Sequence, residues 1–493
     1  MRPAVHDRIA AASETQTRPK RRFPPLPNDP AILPYSHQSP FLMSSSSSLT
    51  FAPELPGAAE ESVGRLGFVR RLTANPTVRK GLFSIVDQGI VSVANLATSV
   101  IIGRLCTKSE LGVYALAMTL VMFARGIQEQ LLSVPYIVYA NRRKGDALAA
   151  YTGSTLVHQC LLTALMLGAL AIFAVALAAG WGPADLLPTA LVLLGAAPLI
   201  LLREYLRQAS FAQFQQGAAI ALDATSSAIQ LGGLAVLGWY GWLSVPAVYA
   251  VMAVACGISC FGWFLARVQK WKVESRELLA DWRVNWTLGK WGLASQLVGT
   301  STPFLIPWWL ALLHGESATG VMAACTTLVG LANMFVIGLA NFLSPKAAQA
   351  FADSGAPGLK HVLRKASLVF GVTLGAFFLA TLVAGESLLT FVYGPQYAGT
   401  GAIISLLALG MLVNALGITA GNGLWAMERA RANFVADTSL LTVTALGGAV
   451  LIAPFGVPGA AAAMLLGTVA GTVIRWLTLW RHLAEFESSP AVS

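Results

Sequence analysis

From Gly81 onward the sequence falls into twelve apolar stretches, each of roughly 20 residues, the length a helix needs to cross the hydrocarbon core of a bilayer. They cover about 82–103, 111–138, 152–179, 185–202, 218–238, 244–266, 288–313, 318–343, 366–385, 400–420, 433–453 and 457–479. A backbone in lipid must satisfy its own N–H and C=O groups, which leaves helices or a closed barrel, and the alternation of barrel strands is absent. Composition agrees. With 55% apolar and 11% charged residues, the chain has less than half the usual share of charge and cannot give a protein of this length a water-soluble surface. The sequence therefore predicts an all-α integral membrane protein, and its net charge of +10 needs no nucleic acid to explain it.

Lys and Arg in short loops stay on the cytoplasmic side of a membrane. One set of loops holds Arg142, Arg143 and Lys144; Arg203 and Arg207; Arg267, Lys270, Lys272, Arg276, Arg283 and Lys290; Lys346, Lys360, Arg364 and Lys365; and Arg429 and Arg431. The loops on the other side (GWGPAD, GWYGWLSVP, HGES, GESLLTFVYGPQY, APFGVPG) hold none, Arg104 and Lys108 after the first stretch being the exceptions. Both termini are thus expected in the cytoplasm.

The stretch LGVYALAMTLV, 111–121, has a second copy 208 positions later, TGVMAACTTLV, 319–329, and a proline follows each, Pro135 and Pro345. Ala212 and Asp223 recur at an offset of 214 as Ala426 and Asp437; Gly232, Gly233 and Gly241 recur one residue later still, as Gly447, Gly448 and Gly456. Six helices repeat six. An even number keeps both copies in one orientation, so the two bundles should be related by a pseudo-two-fold along the membrane normal and enclose a central cavity. The expected division is 1–75, a polar Pro-, Ser- and Arg-rich cytoplasmic extension expected to be disordered; 76–266, the first bundle; 267–287, a cytoplasmic linker; 288–480, the second bundle; and 481–493, a cytoplasmic tail. The extension has no signal-peptide core, so no removed leader is expected, and Met43 is an alternative start.

Lipid does not tolerate polar helix faces, so such faces are candidates to line the cavity. In the first helix Ser84, Gln88, Ser92, Asn95 and Ser99 share a stripe with Asp87 beside it; in the second Arg125, Gln128 and Glu129 share a face. The seventh presents Gln296, Thr300, Pro303 and Pro307, and the eighth Thr326, Gly330, Asn333 and Asn341. The candidate substrate and cavity residues are accordingly Asp87, Gln88, Asn95, Arg125, Glu129, Gln296, Asn333 and Asn341. Each has a plainer reading. Arg125 and Glu129, four apart, could pair with each other; Asp87 could reach water at the cytoplasmic end; Gln296, Asn333 and Asn341 could bond helix to helix. Pro303 and Pro307 would kink the seventh helix. Asp223 and Asp437 read as carboxylates at helix starts, and Arg475 as a side chain reaching the headgroups.

The five cysteines, Cys106, Cys160, Cys256, Cys260 and Cys325, are odd in number and imply no disulfide framework; Cys256 and Cys260 read as small packing residues. No phosphate-binding loop, dinucleotide fingerprint, zinc motif or nucleophile elbow is present, so neither an enzyme nor a cofactor or metal is predicted. Uphill transport would have to draw on an ion gradient, the membrane potential or removal of product.

IIGRLCTKSELGVYALAMTL (101–120), VYGPQYAGTGAIISLLALG (392–410), GLWAMERARANF (423–434) and FGVPGAAAAMLLG (455–467) resemble recurring signatures of the Wzx-type polysaccharide flippases, part of the multidrug/oligosaccharidyl-lipid/polysaccharide (MOP) exporter superfamily. The resemblance covers about residues 80–480. It implies a two-lobed, V-shaped, twelve-helix transporter of the bacterial inner membrane. The implied substrate is an undecaprenyl-diphosphate-linked oligosaccharide, moved from the cytoplasmic to the periplasmic leaflet, with H+ or Na+ as a coupling ion and a polysaccharide polymerase and glycosyltransferases as partners. Cys106, Thr107 and Lys108 depart from the family's Leu-Gly-Pro, and the N-terminal extension is foreign to it. A cation facing the cavity would offset the diphosphate, and Arg125 is the first choice. The alternative is a cation-coupled multidrug or metabolite antiporter, in which Asp87 would exchange a cation for substrate. A membrane glycosyltransferase or polymerase is disfavoured because the loops opposite the basic ones are short and nearly uncharged.

Overall fold

The computed structural model describes residues 76–267, 271–299 and 301–488, and among these the regular structure is helical, with no strand. In chain order the helices are α1 (Pro76–Leu105), α2 (Lys108–Ala140), α3 (Asp146–Ala178), α4 (Leu186–Ala212), α5 (Gln216–Trp239), α6 (Val245–Arg267), α7 (Ser275–Gly299), α8 (Ser301–Tyr393), α9 (Gly401–Ala426) and α10 (Ala430–Ser488). Non-helical backbone at Gly315 and Gly355 divides α8 into 301–314, 316–354 and 356–393, and Gly456 divides α10 into 430–455 and 457–488. Nine of the described helices are long and apolar enough to cross a membrane, with α8 and α10 each counted once and α7 not among them. Large side chains such as Leu165, Ile172 and Val383 face outward, as a hydrocarbon surrounding requires.

Local chemistry sets the ends. Thr107 caps α2: its hydroxyl accepts from the Glu110 N–H, and the Glu110 carboxylate accepts from the Thr107 N–H at 2.9 Å. The residues that depart from the family signature therefore still start a helix. Within α2 a π-turn at Glu129–Ser133 precedes Pro135, which has no N–H to donate.

Several boundaries differ from the sequence reading. The fourth helix, expected to stop at 202, runs to Ala212, so Arg203 and Arg207 are helical rather than loop residues. The eighth stretch continues to 354 and the ninth starts at 356, joined by a turn at Gly355. The seventh begins at Ser275, inside the expected linker. The 1–75 extension and residues 489–493 of the tail lie outside the described residues.

The repeat is visible in the backbone. Among the described residues, the non-glycine positions with positive φ are Phe214 (56°) and Glu428 (60°), separated by the same 214 positions as Asp223 and Asp437. The glycine pair of the repeat, Gly241 and Gly456, also has positive φ. The two copies of the opening motif meet each other. A Cβ on Gly112 would stand 1.8 Å from the Glu316 carbonyl oxygen, and one on Gly320 1.9 Å from that of Lys108. Lys108 and Glu316 are themselves 208 apart, so the contact has the reciprocity of a two-fold. Only glycine lets two helix backbones approach this closely.

Candidate functional site

The first bundle holds a buried set of charges near the end where the basic loops cluster, called here the basic end. Arg207 of α4 is its hub. Its Nη2 donates to Asp87 Oδ2 of α1 at 3.0 Å, its Nε to Asp223 Oδ2 of α5 at 2.6 Å and its Nη1 to Glu204 Oε1 at 3.2 Å. Arg203 reaches the second oxygen of Asp223, and Arg125 of α2 donates to Glu204 Oε1 at 2.9 Å. Gln208 adds a third donor to that oxygen at 3.0 Å. Three arginines thus face three carboxylates from four helices. Asp87, Glu204, Arg207 and Asp223 are buried, whereas the Arg125 side chain is 20% exposed and the Arg203 side chain 16%. Pairing is what makes such burial tolerable, since an isolated charge away from water costs several kcal/mol.

These contacts replace several expectations. Arg125 pairs with Glu204, 79 positions away, and not with Glu129. Asp87 does not reach water; it is 1% exposed, and its Oδ1 has no hydrogen-bond partner. Asp223 lies inside α5, bonded to two arginines, rather than capping a helix. Gln128 points into the bundle, donating to the Leu201 carbonyl at 3.1 Å and accepting from Gln159 at 3.3 Å. Glu129, in the π-turn, is half-buried.

The second bundle answers with a different construction. Asp437 is seven residues into α10, and Arg475, expected to reach the headgroups, is 4% exposed and donates to it. The offset of 214 places Gly417 and Gly421 where the first bundle has Arg203 and Arg207. Arg475 lies over both glycines: their Cβ atoms would stand 3.4 Å from its Nη1 and 3.7 Å from its Cδ. Each repeat aspartate is therefore held by arginine, reached from α4 in one bundle and from the last helix in the other.

The halves are joined at the opposite end, called here the uncharged end because its loops hold no Lys or Arg apart from Arg104 and Lys108. Ser99 of α1 bonds Tyr393 at 3.0 Å and Thr327 at 3.5 Å, Gln396 donates to the Gly103 carbonyl at 2.6 Å, and Arg104 to that of Val392 at 2.7 Å. Asn95, one turn before Ser99, is exposed, as are Thr326 and Gly330 beside Thr327; Gln88 and Asn341 are half-buried. Asn333 is buried and its Oδ1 has no partner, so the expected bond from that oxygen to a neighbouring helix is not made. Gln296, half-buried, faces Gly126 of α2, whose Cβ would stand 3.3 Å from its amide nitrogen. The structure thus gathers Asp87 and Arg125 into one network, and Asn95 and Thr326 each lie on an exposed face near the Ser99–Thr327 contact in sequence. Glu204, Arg207 and Asp223 were missed as a site. Their signal was four polar residues in REYLRQ beyond the apolar stretch, at the three- and four-residue spacings of one helical face. Among the described residues no cluster of His, Cys, Asp and Glu could hold a metal ion.

No protein-family model and no curated protein matches the sequence. Solved structures match. An inward-facing multidrug resistance MATE family transporter of the MOP superfamily superposes with a TM-score of 0.67 at 12% identity, over 83% of this chain and 100% of that one. The lipid II flippase MurJ, in an inward closed conformation, gives 0.63 at 14% identity, over 82% and 89%. An outward-facing MATE family transporter gives 0.53 at 11% identity, over 84% and 96%. The chain is a multi-pass membrane protein with the fold of the MOP-superfamily transporters.

Proposed function

We propose that the protein is a flippase that moves an undecaprenyl-diphosphate-linked oligosaccharide from the cytoplasmic to the periplasmic leaflet of the bacterial inner membrane. Both termini and the basic end face the cytoplasm, and the two bundles rock about their contact at the uncharged end. A polysaccharide polymerase and glycosyltransferases act on the same lipid, and H+ or Na+ is the coupling ion. The higher likeness to the inward-facing than to the outward-facing MATE transporter supports an inward state.

One observation carries this reading against the antiporter: the network keeps its carboxylates sealed and presents a cation. Arg125, partly exposed, is placed to exchange Glu204 for a diphosphate oxygen, and Glu204 keeps Arg207 and Gln208 when it leaves. Asp87, which an antiporter would need open to a cation, already has Arg207. The unpartnered Asp87 Oδ1 and the likeness to MATE transporters favour the antiporter as second reading. Asn95, Thr326 and Gly330 would form the polar path for sugars beside the seal.

A charged hydrogen bond contributes about 1.5–3 kcal/mol. Arg125→Ala is accordingly expected to slow flipping of the lipid-linked oligosaccharide in reconstituted vesicles by about ten- to a hundredfold, with Arg125→Lys intermediate and the thermal midpoint little changed. Unchanged flipping in Arg125→Ala would remove Arg125 from the substrate path.

A further inference from the structure

Helix α7 packs against both α2 and α3. Its start meets α3 where the Leu278 carbonyl lies 3.0 Å from His158 Nε2, and its later part meets α2 where a Cβ on Gly289 would stand 2.6 Å from the Gln130 carbonyl oxygen. His158 is 12 residues into α3 and Gln130 is 10 residues before the end of α2, about 18 and 15 Å from the tips that the two helices share at the basic end. The two contacts are thus at nearly one height. Helices α2 and α3 have 33 residues each, about 50 Å, against about 30 Å of hydrocarbon. With their uncharged ends at one interface, the other interface falls about 20 Å short of the basic tips, at the level of α7.

One face of α7 is fastened to the first bundle: Asp281 accepts from Arg143 at 3.1 Å and Asn285 from Tyr151 at 2.7 Å. The other face carries Arg276, Arg283 and Lys290, all exposed and seven residues apart, hence on one stripe. Trp286 and Trp291, 43% and 69% exposed, flank it, with the Lys290 ammonium 5.6 Å from the Trp291 ring centre. Glu277 is exposed but lies about 100° around the helix from Arg276. Cations interleaved with tryptophan are the composition of a helix lying at headgroup level.

We propose that this face of α7 is a binding site for anionic phospholipid headgroups of the leaflet at the basic end. Successive cations are about 10 Å apart along the helix, too far for one diphosphate to bridge, so the stripe suits a row of separate phosphates.

The test uses the full chain in detergent, titrated with phosphatidylglycerol or phosphatidylcholine and read by native mass spectrometry. At about 1 kcal/mol per cation near an anionic surface, Arg276→Gln/Arg283→Gln/Lys290→Gln should bind phosphatidylglycerol about a hundredfold more weakly. Phosphatidylcholine binding should not change, and Arg364→Gln/Lys365→Gln, exposed cations on 356–393, should behave as wild type. Equal binding by the triple variant, an equal loss in the control variant, or displacement of phosphatidylglycerol by equimolar geranyl diphosphate would overturn the proposal. If the triple variant fails to fold, the single variants, each about fivefold weaker, serve as the same test.

Discussion

Gly112→Ala and Gly320→Ala are each expected to destabilise the protein and lower transport at least tenfold, and by similar amounts. The first methyl would enter to 1.8 Å from a carbonyl oxygen and the second to 1.9 Å, where ordinary contact is 3.4 Å or more. The obstacle in each case is backbone, so no rotamer change relieves it, and α2 or 316–354 must move. Overpacking in a close-packed interior costs about 1–3 kcal/mol, and two helix backbones forced apart should reach the top of that range. In the proposed mechanism the loss falls on the contact about which the bundles rock. Gly89→Ala, with nothing within 4 Å of its Cβ, should leave the thermal midpoint in place. Equal midpoints for all three variants would mean that the helices do not approach as closely as described.

Arg207→Ala should be the most damaging single change in the first bundle. It leaves Asp87 without its one described cation and Asp223 with Arg203 alone, both in a site closed to water. Removing one partner of a buried pair costs about 3–5 kcal/mol, enough to abolish folding in a protein of ordinary stability. Arg207→Lys should recover only part, because an ammonium is a single point charge and cannot span three carboxylates from one fork. Expression level and thermal midpoint measure both. A midpoint within about 2 °C of wild type for Arg207→Ala would show that water reaches the network.

The helical membrane fold was legible because hydrocarbon imposes a length and a polarity on every span. The repeat in the sequence has a counterpart in the structure: its two best-preserved glycines, Gly112 and Gly320, lie against each other, each beside a carbonyl of the other's helix. Chain periodicity says much less about which charges pair. Arg203 and Arg207 follow an apolar stretch as cytoplasmic loop cations do, and only a helix three turns longer turns them inward. Arg125 had an acidic neighbour one turn away, and the partner it takes is 79 positions distant. A clue existed in the second bundle, where Asp437 and Arg475 are both ionisable groups within apolar helices and each requires a partner. Helix α7 was the other miss. SRELLADWRVNWTLGKWG is too polar for a span and too regular for a linker, the signature of an amphipathic helix.

The flippase reading is tested most directly by locating undecaprenyl-diphosphate-linked oligosaccharide between the leaflets of cells depleted of this protein, with wild type, Arg125→Ala or Asp87→Asn supplied in trans. The expected result is accumulation on the cytoplasmic face, relieved by wild type and not by Arg125→Ala. An unchanged distribution, with cells instead becoming sensitive to cationic drugs in a manner dependent on Asp87, would contradict the flippase and favour the antiporter.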